Sequence, residues 1–303
     1  MVSENTFFGH RAFTLENGGL SLRVTEYGAT ILSLKKDGKE LVVSFDDIEK
    51  YERSGSYLGA IVGRYANRIS GASFDIGGER FALDANERGN TLHGGNDGGP
   101  WNKRDWHGER AGDDAVAFTL LSPDGDNGFP GELRAGVIYT LLPDRLRIDF
   151  SGVSDRDTYY APTSHVYFSL GLGDIRDATM QMDSDAHLEM GEGLIPTGRL
   201  LGNAGDFDFS KPRRIARDFD DCFTLRSGRF CTAEGDGVRL SLYTDYPAVQ
   251  FYTGAFLDCG LAPNAGFAIE PEFYPDSPNR PEFPSALLRA GEKFSKYLEF
   301  VIE

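Results

Sequence analysis

Apolar residues recur at every second position in short runs along nearly the whole chain, and glycine or proline breaks each run within a few residues. In LSLRVTE, Leu20, Leu22 and Val24 fall on one side and Ser21, Arg23 and Thr25 on the other. In RLRIDFSGV, Leu146, Ile148 and Phe150 alternate with Arg145, Arg147 and Asp149. A period of two is that of a strand with one buried face. With 37 glycines and 14 prolines in 303 residues, no long helix is expected, because each such residue interrupts the helical hydrogen-bond ladder or weakens it. A turn or two within residues 211–219 is the one helical expectation. Asp37 and Gly38 form a tight-turn pair between ATILSLKK and KELVVSF, and Gly77 and Gly78 mark the tip of a hairpin in SFDIGGERFALD. Strands are expected again at AVAFTLLS, LRAGVIYTLL, SHVYFSLG, ATMQMD, DAHLEM, CFTL, VRLSLYT, AVQFYTG, GFAIE and KYLEFVIE. Many short strands with little helix imply an all-β sandwich or closed barrel. No linker, low-complexity tract or internal repeat divides the chain, so one domain over residues 1–303 is expected.

Charge narrows the partners. There are 31 basic against 47 acidic residues, a formal charge of -16. That balance repels nucleic acid and anionic membranes at long range, whereas a neutral small molecule is compatible with it. The N-terminal MVSENTFFGHRAFTLENGG has no basic stretch followed by a long apolar run. Nor does any later run approach the ~18 apolar residues of a membrane span. The three cysteines, Cys222, Cys231 and Cys259, are odd in number and form no CxxC pair. A disulfide framework and a structural zinc site are therefore not expected, and a reducing cytoplasm is. Oligomeric state is left open.

Residues 59–101 concentrate polar groups in a glycine-rich setting: Arg64, Asn67 and Arg68, then His93 between Leu92 and the pair Gly94 and Gly95. Long donors and an imidazole, beside residues that let the backbone approach closely, suit a pocket for a small polyhydroxylated ligand. Proton-transfer candidates lie downstream. Glu270 ends the apolar run of GFAIE, where partial burial would raise its pKa and make it a better base. Glu272, two residues on, shares a strand face with it only if the strand continues through Pro271. His165, in SHVYFSL, is either a core histidine or a proton carrier near neutral pH. His93 is either a ligand contact or a turn-stabilising residue. His10, His107 and His187 are isolated, and no HxH or HExxH pattern occurs, so no metal site is expected. Arg213, Arg214 and Arg217 read as a solvated basic face.

In GRYANRISG, TLHGG, SHVYFSL, RDFDDCF, AVQFYTGAFL and AIEPEFYPDSPNRPEFPS, taken in that order, the sequence resembles the aldose 1-epimerases, or galactose mutarotases. The resemblance spans nearly the whole chain. It implies a galactose-mutarotase-like β-supersandwich and a metal-free, cofactor-free interconversion of the α and β anomers of a free aldose. Carried over residue by residue, it assigns Glu270 as the catalytic base and His165 as the acid, with Arg68, His93, Asp220 and Asn67 holding the sugar. Three positions depart from the family's usual residues: Asp221 stands where His is common, Ser164 where Asn is frequent and Glu272 where Gln is frequent. Two other readings share the fold, a hexose-6-phosphate 1-epimerase and a non-catalytic sugar-binding protein. The first would need a cationic phosphate clamp; the second would bind sugar without accelerating anomer exchange.

Overall fold

The structure is a computed structural model and describes residues 1–226 and 228–303. Three antiparallel sheets carry the architecture. A five-stranded meander opens the chain with Val2–Phe7, His10–Asn17, Leu20–Thr25, Ile31–Lys36 and Lys39–Glu40. A nine-stranded sheet is built around Leu133–Leu142, Arg145–Ser154, Phe294–Ile302 and Val238–Thr244. A six-stranded sheet runs in the spatial order Tyr167–Phe168, Phe267–Glu272, Ala248–Tyr252, Asp220–Thr224, Ala186–Met190 and Pro196–Gly202.

Alternation explains how these sheets stack. Leu146, Ile148 and Phe150 turn inward from the nine-stranded sheet, and Phe223, Val249, Phe251, Phe267 and Ile269 turn inward from the six-stranded one. The two inner faces merge into one apolar core, with Phe168 and Phe300 ring centroids 4.8 Å apart. The first meander closes the other end through Phe13 against Phe118 and through the Tyr139 hydroxyl, which donates to the Ala29 carbonyl. This is the sandwich that the alternation implies, with the apolar faces of the central strands turned inward.

The two marked hairpins form as expected, with Lys36 opposite Lys39 and Ile76 opposite Glu79 across their glycine-containing turns. Two local expectations fail. Residues 211–219 hold a short strand, Arg213–Arg214, paired with Thr179–Met182. The α-helix among the described residues is instead Ile48–Arg53, capped by Asp47, whose carboxylate accepts the Glu49 N–H at 3.0 Å. Six residues with one buried side chain, Tyr51, are too short to display a helical period. The run KELVVSF also leaves its sheet after Glu40, with Val42 bridging to Phe168 instead. No helix among the described residues is long and apolar enough to cross a membrane.

Candidate active site

The six-stranded sheet presents its second face to a cleft. Glu270 lies opposite Gln250, which lies opposite Cys222, and Ala268 lies opposite Tyr252, which lies opposite Asp220. Paired residues share a face, so Glu270, Glu272, Gln250, Tyr252 and Asp220 project away from the core while Ile269, Phe251 and Asp221 project the other way. The strand does run through Pro271, which pairs with Val249. On the opposite side its neighbour Tyr167–Phe168 pairs only with Ala268 and Phe267. Pro271 therefore sits where one side of the strand is unpaired, and its missing N–H costs no ladder bond there.

The remaining walls come from loops of the first third of the chain. Tyr57, Asn67 and His93 all line the cleft, and all three have left-handed backbones, at φ 52°, 63° and 49°. Non-glycine residues in that region are uncommon and concentrate where surrounding structure imposes them. The surroundings here are tight: a Cβ on Gly94, at φ 83°, would lie 2.0 Å from the Gly63 carbonyl oxygen. Only glycine allows the LHGG turn to seat His93 against residues 63–67.

Asn67, Arg68, His93, His165, Asp220 and Glu270, the six residues expected from sequence, all line this one cleft of about 170 Å³. His165 Nε2 faces Glu270 Oε2 at 3.4 Å, and both side chains are almost completely buried. Glu270 Oε2 and His165 Nδ1 have no hydrogen-bond partner among the described residues. Burial pushes the Glu270 carboxyl well above the usual carboxylate range, and nearby Asp220 pushes it further. Burial pushes His165 down to about 4. Each group is thus driven toward its neutral form, the carboxyl toward holding its proton and the imidazole toward giving its proton up.

Around this pair the polar side chains are held in place. Arg68 donates through Nε and Nη2 to both oxygens of Glu87, at 2.7 and 2.9 Å. Gln250 donates to Asp220 Oδ1 at 2.6 Å. Asn67 uses both ends of its amide, its Oδ1 accepting the Arg68 N–H and its Nδ2 donating to Glu272. Tyr57 stacks over His165 at 5.8 Å and meets His93 edge-on at 4.6 Å. Arg64, in contrast, is turned away and buried, donating to Ser122 and to the carbonyls of Pro123 and Pro130. Its role is to brace the loops.

His93, His165 and Glu270 bring potential metal-ligand atoms within 4.8 Å of one another. The donor set does not fit a cation. His93 Nδ1 accepts the backbone N–H of Asn67 at 3.1 Å, which leaves the proton of the neutral ring on Nε2. A metal-bound histidine needs the reverse, its second nitrogen donating to an acceptor.

Sequence reasoning missed Gln250, Tyr57, Tyr167, Tyr252 and Phe256, which also line the cleft. Gln250 left a signal, as a polar residue inside the apolar run AVQFY. Tyr57 left none, because its place depends on a left-handed turn and not on a pattern.

The fold and the cleft define an all-β sandwich carrying an acid–base pocket for a small polar molecule. The family described as aldose 1-epimerase matches residues 11–301. The chain is 36% identical over 313 residues to a galactose mutarotase of Bos taurus, covering 93% of this chain and 91% of that one. It is 36% identical over 335 residues to an aldose 1-epimerase of Escherichia coli, covering 96% and 94%. Among solved structures, a galactose 1-epimerase from Lactobacillus acidophilus superposes with a TM-score of 0.90 at 27% identity, covering 100% of this chain and 98% of that one. An aldose epimerase homologue from C. elegans does so with the same TM-score and identity, covering 96% and 98%. The chain belongs to the aldose 1-epimerase family.

Proposed function

We propose that this protein interconverts the α and β anomers of a free aldose such as glucose or galactose, with Glu270 and His165 as its acid–base pair. The observation that carries the reading is the 3.4 Å approach of His165 Nε2 to Glu270 Oε2 on the floor of the cleft. Opening a hemiacetal requires a proton to leave O1 while another arrives at the ring oxygen, and two groups sharing one proton supply both. In the reactive state the shared proton sits on His165. Glu270 takes the O1 proton, the bond from C1 to the ring oxygen breaks, and His165 protonates that oxygen. The open-chain aldehyde rotates about C1–C2. His165 then recovers the proton from the hydroxyl as its oxygen attacks C1, and Glu270 returns its proton to O1. The cycle leaves both groups as they began.

Arg68, His93 and Asp220 hold the sugar hydroxyls, and Asn67 braces two of those three. Among the described residues Arg68 is the one lysine or arginine lining the cleft, Glu87 already engages it bidentately, and Asp220 and Glu270 add carboxyl groups beside it. That balance disfavours a phosphorylated sugar. The presence of both proton-transfer groups disfavours a purely binding role. The free thiols of Cys222, Cys231 and Cys259 are consistent with a cytoplasmic setting.

The test is polarimetry on freshly dissolved α-D-glucose and α-D-galactose, with wild-type protein and with Glu270→Gln. Faster relaxation to an unchanged final rotation, lost in the variant, is the expected result. No acceleration with any free aldose would refute the reading.

A further inference from the structure

Glu272 is fully buried, at 0% exposure, on the same sheet face as Glu270. It forms no ion pair among the described residues; its Oε1 accepts from Asn67 Nδ2 at 3.0 Å, and its Oε2 has no hydrogen-bond partner there. The groups that face it are mostly acidic or neutral: Glu270 on its own strand, Asp220 and Cys222 from Asp220–Thr224, and Tyr65 and Tyr246. Arg68 is a cation acting on it, and Arg68 is gripped by Glu87. An ionised carboxylate in such surroundings is costly, whereas a carboxylic acid offers the same carbonyl oxygen to Asn67 without the charge.

The bond to Asn67 has consequences in the cleft. The same Asn67 residue donates its backbone N–H to His93 Nδ1, and its Oδ1 accepts both the Arg68 backbone N–H at 2.9 Å and Nη1 of the Arg68 head at 3.4 Å. We propose that Glu272 is a positioning residue that works as a neutral carboxylic acid, anchoring Asn67 so that the His93 tautomer and the Arg68 head are presented to substrate. This rests on the anomerase reading for its effect on activity, but not for its protonation. Burial and the adjacent Glu270 both favour the protonated form.

The sign of the linkage follows. A glutamate whose folded-state pKa lies above its unfolded value binds the proton more tightly when folded, so stability falls as pH rises above the unfolded value of ~4.3. Glutamine keeps the carbonyl and removes that loss. Methionine keeps the length and removes the hydrogen bond.

The experiment compares wild type, Glu272→Gln and Glu272→Met by thermal unfolding at pH 5 and pH 8, by nitrogen-15 NMR of His93, and by mutarotation kinetics. Glu272→Gln is expected to gain roughly 2–4 °C over wild type at pH 8 relative to its difference at pH 5. It should keep the Nε2–H tautomer of His93 and retain kcat/KM within about threefold. Glu272→Met is expected to lose tautomer order and to raise KM about tenfold or more with a smaller change in kcat. The proposal is overturned if Glu272→Gln gains no stability with rising pH, or if folded Glu272→Gln is as impaired as Glu272→Met, since either result means an ionised carboxylate. It is equally overturned if Glu272→Met keeps wild-type KM and tautomer. An inactive wild type would remove the functional reading while leaving the unfolding and NMR arms decisive for Glu272.

Discussion

The ring of His93 accepts the backbone N–H of Asn67 through Nδ1 at 3.1 Å, across 26 residues of sequence. That contact fixes His93 as a donor through Nε2, and burial holds its pKa well below the ordinary histidine value. It is thus a neutral donor, suited to binding a hydroxyl and not to carrying a proton. His93→Ala should therefore raise KM about tenfold, the worth of roughly one hydrogen bond, with kcat changed less. Steady-state kinetics on both anomers checks this, and a collapse of kcat at unchanged KM would contradict it.

Asp220 and Asp221 are neighbours with opposite destinations. Asp220 faces the cleft and receives Gln250, while Asp221 lies on the other face within 3.6 Å of Arg217. Asp220→Asn is expected to lower kcat/KM by about tenfold or more, because a charged acceptor for a sugar hydroxyl is lost. Asp221→Asn should stay within about threefold of wild type. Equal losses in the two variants would mean that the sheet register is wrong.

Gln250→Leu isolates the other half of that contact. Its amide both steadies Asp220 at 2.6 Å and stands directly across the sheet from Glu270. Leucine fills the space but leaves Asp220 without its donor and replaces a polar neighbour of Glu270 by an apolar one. A fall in kcat/KM of about tenfold is expected, with folding intact by circular dichroism. Wild-type kinetics would show that Asp220 needs no such support.

The sandwich was legible because alternation is a local property: Leu146, Ile148 and Phe150 declare their face within one strand, and so do Phe267, Ile269 and Phe251. Glu270 at the end of such a run was visible for the same reason. The site as a whole was legible through family resemblance, since nothing local joins His93 to residues as distant as Glu270. What stayed hidden depends on contacts between distant segments. Pro271 suggested a strand end, but the strand continues because its neighbour on one side has already stopped. Tyr57 roofs the two histidines through a left-handed backbone that no periodicity announces.

Gly94 offers a test of how tightly the His93 turn is built. At φ 83°, an added Cβ would lie 2.0 Å from Gly63 O and 2.5 Å from the Arg64 nitrogen, both backbone atoms. Left-handed strain and overpacking together predict that Gly94→Ala loses roughly 2–5 kcal/mol. Gly77→Ala, at φ 60° with nothing within 4 Å, should lose only about 1 kcal/mol. Urea denaturation of the two variants measures the contrast, and similar losses would deny the close approach.

The Glu270–His165 pair makes a prediction about pH that differs from that of an ordinary histidine enzyme. Burial lowers His165 to about 4, and burial together with Asp220 raises Glu270 well above the usual carboxylate range. Between those limits the pair holds one proton whichever group carries it, and that is the form the reaction requires. As pH falls through about 4, His165 takes up a second proton, no base remains, and activity is lost. As pH rises, activity holds until the pair gives up its only proton, which the raised Glu270 carboxyl delays beyond the usual carboxylate range. The profile of kcat/KM, corrected for the uncatalysed reaction and limited to pH values where circular dichroism shows the fold intact, should therefore be flat through ~6.5, the free-histidine value. A limb centred there would mean that His165 titrates as a solvated imidazole, and that the buried pair is not the catalytic acid and base.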